Sequence, residues 1–373
     1  MTINLIYLCI ARHIMPDTYK TIVVKIGSNV LTRADGLPDE VRIAHLVGQI
    51  AQLKKKGITV VVVSSGAVAS GRSMYNISEK HDAVAARQLL ASIGQIKLIN
   101  LYLSLFQKHE MLCSQVLVTK EDFRDRMHYL NIKNCLSILL KNNVVPVVNE
   151  NDVVAVTELM FTDNDELAGL IASMLGADAL IILSNVDGVY NGDPKLPGTA
   201  VIREIKRTTE QVDSFVTKTK SGSGRGGMIT KLGMARKVAK LGIPVHIANG
   251  TRDHILIDLV EKRAVHTYFV PEKTTSGKKK WIAHSEQSAT GIVKLNQGAK
   301  AALLSGNAHS LLPVGIIGII SPFEKGEIIR LVDEDGQLIG LGIADYSSDK
   351  TADRMGQKGH KALVHYNYFY AAG

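Results

Sequence analysis

The chain has 373 residues, of which 46% are hydrophobic, and a formal net charge of +9. This length allows a large core and two or more domains, and the three cysteines, Cys9, Cys113 and Cys135, lack the spacing for a zinc quartet or a disulfide framework. The positive charge suits an anionic partner such as a nucleotide or RNA, without dictating either. A reducing cytoplasm is the predicted setting.

The first residues are predicted to be an N-terminal extension, residues 1–17. The apolar stretch NLIYLCI, residues 4–10, is too short to span a bilayer. No basic stretch precedes it and no signal-peptidase site follows it. We therefore expect no membrane segment there, and an upstream start codon would account for residues 1–14.

Six short apolar runs alternate with segments of helical spacing between residue 20 and about residue 260. Strands buried on both faces and joined by helices are typical of mainly parallel sheets. The pattern predicts an α/β fold, an open and mainly parallel sheet sandwiched by helices, over residues 18–265. The predicted strands are TIVVKI (21–26), ITVVVV (58–63), MLCSQVLV (111–118), NVVPVV (143–148), ALIIL (179–183) and IPVHIA (243–248).

Small and polar residues follow five of these six runs. Open parallel sheets bind ligands at the carboxyl ends of their strands, so this composition predicts a polar ligand there. The alternative is ordinary loop chemistry, since turns favour the same residues. The residues are Gly27-Ser28, Ser64-Ser65-Gly66, Asn149-Glu150-Asn151-Asp152, Ser184-Asn185 and Asn249-Gly250.

Two lysines are candidates for binding a phosphate chain. The chain contains no P-loop, and GSGRGG at residues 222–227 follows a polar segment, which argues against a dinucleotide fingerprint. That loop can still bring backbone N–H groups to phosphates, and it opens onto a helix that contains Lys231. Lys25 lies inside the first strand, where an unpaired cation is costly; the alternative is a lysine that reaches solvent from the strand end. We predict that both lysines stabilise one moving phosphoryl group.

The stretch FTDNDELAG, residues 161–169, places several acidic residues before an apolar helix. Leu167 and Ala168 occupy positions that a calcium loop reserves for other residues, which excludes that reading. Helix capping is the simplest alternative. Together with residues 149–152, the stretch predicts carboxylates that pair with the two lysines and bind a substrate ammonium group.

The composition changes near residue 277. A linker is predicted over residues 266–280 and a small β-rich domain over residues 281–373, with strands TGIVKL, VGIIGII, GEIIRLV and QLIGLGIA and one helix, GAKAALLSG.

Six ordered blocks resemble the glutamate 5-kinases of the amino acid kinase superfamily. They are VVKIGSNVL, VVSSGAVASG, VPVVNENDVVAV, FTDNDELAGLIA, LIILSNVDGVYNGDP and GRGGMITKL. The tail GAKAALLSGNAHSLLPVGI resembles a PUA domain, so the resemblance covers about residues 20–373. It implies an amino acid kinase-like fold followed by a PUA-like domain. It also implies ATP-dependent phosphorylation of the γ-carboxylate of L-glutamate, the first step of proline biosynthesis.

The resemblance also implies roles for individual residues. Asn185 departs from it, because many relatives carry Asp at that position, and an amide has no charge to offer. The implied catalytic residues are Lys25, Lys231 and Asp165. The implied substrate-binding residues are Ser65, Gly66, Asn149, Asp152, Asp163 and Asn164. The implied ATP-binding residues are Lys25, Gly27, Ser184, Asn185, Arg225, Gly226, Gly227, Met228, Ile229, Thr230 and Lys231.

The implied partners are L-glutamate and ATP, with Mg²⁺ carried by the nucleotide and no metal site on the protein. Proline is the implied feedback inhibitor, and a homo-oligomer, a dimer or tetramer, is expected. A γ-carboxylate with an ordinary pKa of about 4.3 is already ionised at neutral pH, so no general base is needed. Two alternatives stay open: an amino acid kinase with a different acidic substrate, and an RNA-binding protein that acts through the PUA domain.

Overall fold

A computed structural model describes residues 19–77, 82–154, 161, 163–194, 196–206, 227–272, 277–286, 289–305 and 308–372. The predicted extension, residues 1–17, and two predicted nucleotide contacts, Arg225 and Gly226, lie outside these residues.

Eight strands in the described part of the chain form one sheet in the order β3-β4-β2-β1-β5-β7-β8-β6. Neighbouring strands are parallel except β7 and β8. This confirms the predicted α/β fold, and each of the six predicted strands is present within two residues of its expected bounds. The strands are β1 Thr21–Ile26, β2 Thr59–Ser64, β3 Cys113–Val118, β4 Val145–Glu150, β5 Ala179–Ser184, β6 Glu204–Ile205, β7 Val245–Asn249 and β8 Thr267–Phe269.

Helices cover both faces of this sheet. Capping is clear in the sequence: the side chain of Asp82 accepts hydrogen bonds from the first turn of the longest helix, and Asp163 does the same for the helix after β4. The helices are α1 Ser28–Leu31, α2 Glu40–Lys55, α3 Ala67–Arg72, α4 Ala83–Gln107, α5 Lys120–Arg124, α6 Arg126–Lys141, α7 Asn164–Leu175, α8 Met228–Lys240, α9 Ile255–Val260 and α10 Gly277–His284.

Side chains of β1 alternate between two apolar cores. Ile22, Val24 and Ile26 belong to the core beneath α2, α4 and α9, whereas Val23 belongs to the core that contains the apolar side of α7. Because successive side chains point to opposite faces of a sheet, Lys25 shares the face of Val23. The period of the strand therefore directs this lysine toward α7.

Helix α4 has the length and hydropathy of a membrane span. In the structure it packs against α2, α3 and β3, and Leu98, Tyr102 and Phe106 are fully buried in the core. Part of its apolar surface is therefore used for packing within the large domain, while another part, including Ile96, is exposed.

The C-terminal segment forms a second sheet in the order β10-β9-β11-β12-β13. All neighbours are antiparallel except β9 and β11. This confirms the predicted β-rich tail, with a third apolar core of its own. Its strands are β9 Gly291–Leu295, β10 Ile316–Ser321, β11 Ile328–Val332, β12 Leu338–Ile343 and β13 Phe369–Ala371, and its helices are α11 Gln297–Leu304 and α12 Ser348–Arg354.

The described parts of the segment predicted as a linker, residues 266–280, include regular structure at 267–269 and 277–280. It contains β8, which pairs with β7 in the large sheet, and the start of α10. Trp281 and Ile282 of α10 lie in the same apolar cluster as Val23 and Leu341, so α10 joins the two sheets. The domain boundaries themselves stay predictions.

Candidate active site

A polar cavity of about 430 Å³ lies at the carboxyl ends of β1, β2, β4 and β5. This is the edge of a parallel sheet at which ligands bind, and the volume is in the range of small-molecule sites. The sequence predicted a ligand site at these strand ends. Residues on the wall include Lys25, Gly27, Ser28, Asn29, Ser65, Gly66, Arg72, Arg87, Asn149, Glu150, Asp152, Phe161, Asp163, Asn164, Ser184 and Lys231.

Two lysines of the cavity wall contact one buried carboxylate. The Nζ atom of Lys25 lies 2.6 Å from Oδ1 of Asp165, and Nζ of Lys231 lies 2.8 Å from Oδ2. Asp165 is fully buried in the first turn of α7, while Lys25 comes from β1 and Lys231 from the first turn of α8. Three distant segments of the chain thus place two ammonium groups around one carboxylate.

The charge state of Asp165 follows from these contacts. Burial by itself raises the pKa of Asp165, but the ammonium charges of Lys25 and Lys231 outweigh burial and lower that pKa to about 2. Asp165 is therefore ionised at neutral pH. It balances one of the two positive charges, so the cluster retains a net positive charge that an anion can neutralise.

Asp163 and Asn164 hold the start of α7 against its neighbours. Asp163 caps α7 and accepts a hydrogen bond from the Thr230 hydroxyl at 2.8 Å, which joins α7 to α8. The side-chain amide of Asn164 donates to the Ser64 carbonyl, to the Ser65 hydroxyl and to Asn149 Oδ1. Burial and then the charge of Asp165 raise the pKa of Asp163. These contacts fix Asp165, which lies in the same turn.

An arginine and two carboxylates occupy the far end of the cavity. Nε of Arg87 donates to Asp152 Oδ1 at 2.8 Å, and Nη2 lies 2.6 Å from the same atom. Nη2 also lies 3.5 Å from Glu150 Oε2. The other oxygen of Glu150 accepts a hydrogen bond from the Phe161 backbone N–H at 2.7 Å, which holds the residues that lead into α7.

Most of the residues predicted for the site come together on this wall. Two of the predicted catalytic residues, Lys25 and Lys231, lie on it, and so do all six predicted substrate-binding residues. The third, Asp165, is buried behind the wall and contacts both lysines. Their roles stay predictions. Of the remaining predicted nucleotide contacts, Gly27 and Ser184 lie on the wall, and Gly227 is the N-cap of α8.

The other predicted nucleotide contacts lie away from the wall. Met228, Ile229 and Thr230 form the first turn of α8 without lining the cavity. Asn185 is exposed just after β5 and does not line it either. Sequence reasoning overlooked Arg87 and Arg72 as wall residues. Arg87 had a detectable signal, because it is the single charged residue in the apolar segment AVAARQLLASIGQI of α4.

Comparisons with known proteins agree with this geometry. Residues 20–249 match the amino acid kinase family, and residues 291–366 match the PUA domain. The chain therefore belongs to the amino acid kinase family.

Relatives within that family are glutamate 5-kinases. The chain is 52% identical over 359 residues to the glutamate 5-kinase of Bacteroides thetaiotaomicron, which covers 95% of this chain and 99% of that protein. It is 49% identical over 353 residues to the glutamate 5-kinase of Chlorobaculum tepidum, covering 94% and 97%. These identities confirm the resemblance seen in the sequence. Carbamate kinase from Giardia lamblia bound to AMP-PNP aligns with 69% of this chain and 100% of its own, at 19% identity and a TM-score of 0.49.

Proposed function

We propose that this protein transfers the γ-phosphoryl group of ATP to the γ-carboxylate of L-glutamate, the first step of proline biosynthesis. The products are ADP and γ-glutamyl phosphate. The observation that carries the proposal is the Lys25–Asp165–Lys231 cluster at the strand ends, in a chain with half its residues identical to a glutamate 5-kinase.

The reaction needs positive charge more than it needs a base. The nucleophile is a carboxylate with an ordinary pKa of about 4.3, so it is ionised at neutral pH. One of its oxygens forms a bond to the γ-phosphorus while the bond from that phosphorus to the bridging oxygen breaks, and the electron pair leaves with ADP. No proton moves in this step. The obstacle is repulsion between the carboxylate and the triphosphate.

Lys25 and Lys231 can reduce this repulsion, because their ammonium groups lie on two sides of one carboxylate and can face one phosphoryl group. Preorganised charge of this kind is usually the largest contribution to phosphoryl transfer. Asp165 keeps the two lysines close together against their mutual repulsion. We assign it a positioning role, since both of its oxygens contact lysines.

The cavity has a phosphate end and an acceptor end. Gly27 and Ser184, at the tips of the adjacent strands β1 and β5, lie beside Lys25. A Cβ atom at Gly27 would lie 3.3 Å from Nζ of Lys25, so glycine keeps space open for a ligand next to this lysine. Ser65, Asn149 and Asp152, at the tips of β2 and β4, form the acceptor end.

Magnesium would enter with the nucleotide, bound mainly through phosphate oxygens, as is usual for kinases. Its chemistry is to neutralise charge on the phosphate chain. Asp165 cannot serve as its ligand without releasing a lysine, since both carboxylate oxygens are engaged. Asp163 lies on the same wall, and its two oxygens accept hydrogen bonds from the α7 backbone and from Thr230. A contact between Asp163 and magnesium would be additional to these bonds.

An acceptor panel tests the proposal. ADP release from ATP should require an acidic amino acid, and L-glutamate should give a kcat/KM far above those of aspartate, N-acetylglutamate and glutarate. Trapping of the product with hydroxylamine should yield one γ-glutamyl hydroxamate for each ADP. Preference for another acid, or ADP release without hydroxamate, would contradict the assignment.

Four finer expectations belong to the same proposal. Proline would compete at the acceptor end and raise the apparent KM for glutamate, which a proline titration measures. A homo-oligomer is supported by exposed apolar side chains on α4, the β3 edge and α6, namely Ile96, Leu112, Leu117, Met127, Leu130 and Ile138. Contact of the PUA domain with RNA and a cytoplasmic location stay predictions.

A further inference from the structure

Arg87 is a cation on the wall of the acceptor end that contacts Asp152, and the reaction as proposed leaves it without a role. Its guanidinium contacts Asp152 and Glu150, and its side chain is 27% exposed, whereas those of Asp152 and Glu150 are 7% and 4% exposed. The guanidinium therefore lies between two nearly buried carboxylates and the open cavity.

Two carboxylates at this end would repel the proposed substrate if they were not balanced. Glutamate has two carboxylates and one ammonium group, so its α-carbon presents one charge of each sign. Asp152 suits the ammonium group. The α-carboxylate needs a cation nearby, and Arg87 lies on the wall beside Asp152.

We propose that Arg87 binds the α-carboxylate of glutamate while Asp152 binds its α-ammonium group, so that this ion pair selects α-amino acids. The inference rests on the proposed function and names the determinant of its acceptor specificity.

The guanidinium has the capacity for this second task. It carries five N–H donors in a planar fork that fits carboxylates. The contacts with Asp152 and Glu150 involve Nε and Nη2, so the guanidinium can bind another carboxylate and still hold Asp152. Charge-assisted bonds of this kind are among the stronger hydrogen bonds in proteins.

The distance between the two ends of the cavity suits an extended glutamate molecule. Along the sheet, β4 lies two strands away from β1, which is about 10 Å. Asp152 follows β4, and Lys25 lies on β1. An extended glutamate with its γ-carboxylate at the lysines would therefore have its α-carbon near Arg87 and Asp152.

The competing explanation is that Arg87 only orients Asp152. Isoglutamine distinguishes the two explanations, because it is a glutamate analogue in which an amide replaces the α-carboxylate. The experiment compares the KM for glutamate, the inhibition constant of isoglutamine against glutamate, and the KM for ATP in the wild type, Arg87→Met and Arg87→Lys.

We expect Arg87→Met to raise the KM for glutamate by about 10- to 100-fold and to change the inhibition constant of isoglutamine by less than about 3-fold. The KM for ATP should stay as in the wild type, and Arg87→Lys should recover part of the glutamate affinity. Lys108→Met, which removes a charge from an exposed side chain just after the same helix, should leave all three constants unchanged.

Equal weakening of glutamate and isoglutamine in Arg87→Met would overturn the proposal, because it would mean that Arg87 acts only through Asp152. An unchanged KM for glutamate would overturn it as well. Failure of the proposed function itself would look different, since the wild type would then not phosphorylate glutamate.

Discussion

Asp165 shows how one side chain can organise the charge of a whole cavity. Its carboxylate is fully buried, and both of its oxygens contact lysines from other elements. Burial of a carboxylate is unfavourable unless it is paired with a cation. Burial of the two lysine ammonium groups is likewise unfavourable unless they are paired with an anion. The three side chains therefore depend on one another, and the cluster retains one unit of positive charge for an anionic ligand.

Asp165→Asn is expected to lower kcat by about 100-fold or more, on the scale seen when one preorganised electrostatic contact is lost. An amide has no charge, so the ammonium groups of Lys25 and Lys231 would repel each other and move apart. The measurement is kcat at saturating ATP and glutamate, with circular dichroism to verify folding.

The control for this variant is Asp253→Asn, since the Asp253 side chain is 78% exposed. It removes the same charge from the surface and should retain wild-type turnover. A kcat for Asp165→Asn within about 3-fold of the wild type would contradict the positioning role of Asp165.

At the scale of elements, the acceptor end depends on close contact between α3 and α4. The backbones meet at two glycines: a Cβ atom at Gly94 would lie 1.9 Å from the carbonyl oxygen of Ala67 and 2.2 Å from the backbone nitrogen of Gly71. Helix α3 begins right after Ser65-Gly66, and α4 carries Arg87 and Gln95. The distance between these helices therefore sets the width of the acceptor end.

Gly94→Ala is expected to destabilise the fold by about 1–3 kcal/mol, because the added methyl group forces the two helices apart. The KM for glutamate should rise more than the KM for ATP, since Asn149 donates a hydrogen bond to Gln95, the neighbour of Gly94. Urea unfolding and steady-state kinetics measure the two effects.

Gly233→Ala is the matched control, because no atom of the described residues lies within 4 Å of a Cβ atom at that helical position. It should stabilise the chain by about 0.5–1 kcal/mol through helix propensity. If Gly94→Ala and the wild type had equal free energies of unfolding, the close contact between α3 and α4 would not contribute to stability.

At the scale of the whole molecule, two buried histidines, His246 and His266, and the half-buried His284 link stability to pH. The His246 ring shares a hydrogen bond with the Tyr19 hydroxyl at 2.9 Å and another with the His266 ring at 3.0 Å. Nε2 of His284, in α10, lies 2.9 Å from the hydroxyl oxygen of Ser173 in α7. Burial, and for His246 the neighbouring His266, lowers the pKa of all three imidazoles below the usual value. Lys237 and Lys280 lower the pKa of His284 further.

The sign of the pH dependence follows from linkage. In the unfolded chain these histidines bind protons below pH about 6.5, whereas in the folded chain they stay neutral to lower pH. The contribution of these groups to the free energy of unfolding is therefore complete above about pH 6.5. It is lost as the pH falls below that value, by at most about 1.4 kcal/mol per pH unit for each group. Urea midpoints should be equal at pH 7.5 and 8.5 and lower at pH 5.5.

The fluorescence of Trp281, the single tryptophan, can follow this unfolding, because its ring is buried in α10 and its N–H donates to the Phe123 carbonyl. His284→Gln should weaken the pH dependence. His128→Gln, at a side chain 62% exposed, should not. The same pH dependence in His284→Gln and the wild type would exclude His284 from the effect.

The strands and their order along the chain could be predicted from the sequence because a strand buried on both faces is mostly apolar. The strands β1, β2, β4 and β5 fit this description closely. Short elements such as β6 and β8, of two and three residues, carry too few apolar side chains to form a pattern, so residues 266–280 looked like a linker.

The sequence by itself determined the α/β class, the polar strand ends and, through the ordered motif blocks, most residues of the cavity wall. These properties are local: period, composition and spacing follow from neighbours in the chain. Only the tertiary structure decided which charges meet. The pairing of Arg87 with Asp152, which the sequence did not predict, joins residues 65 positions apart. That of Lys231 with Asp165, which the resemblance implied, spans 66. Such contacts depend on how helices pack across the sheet, which no single segment encodes.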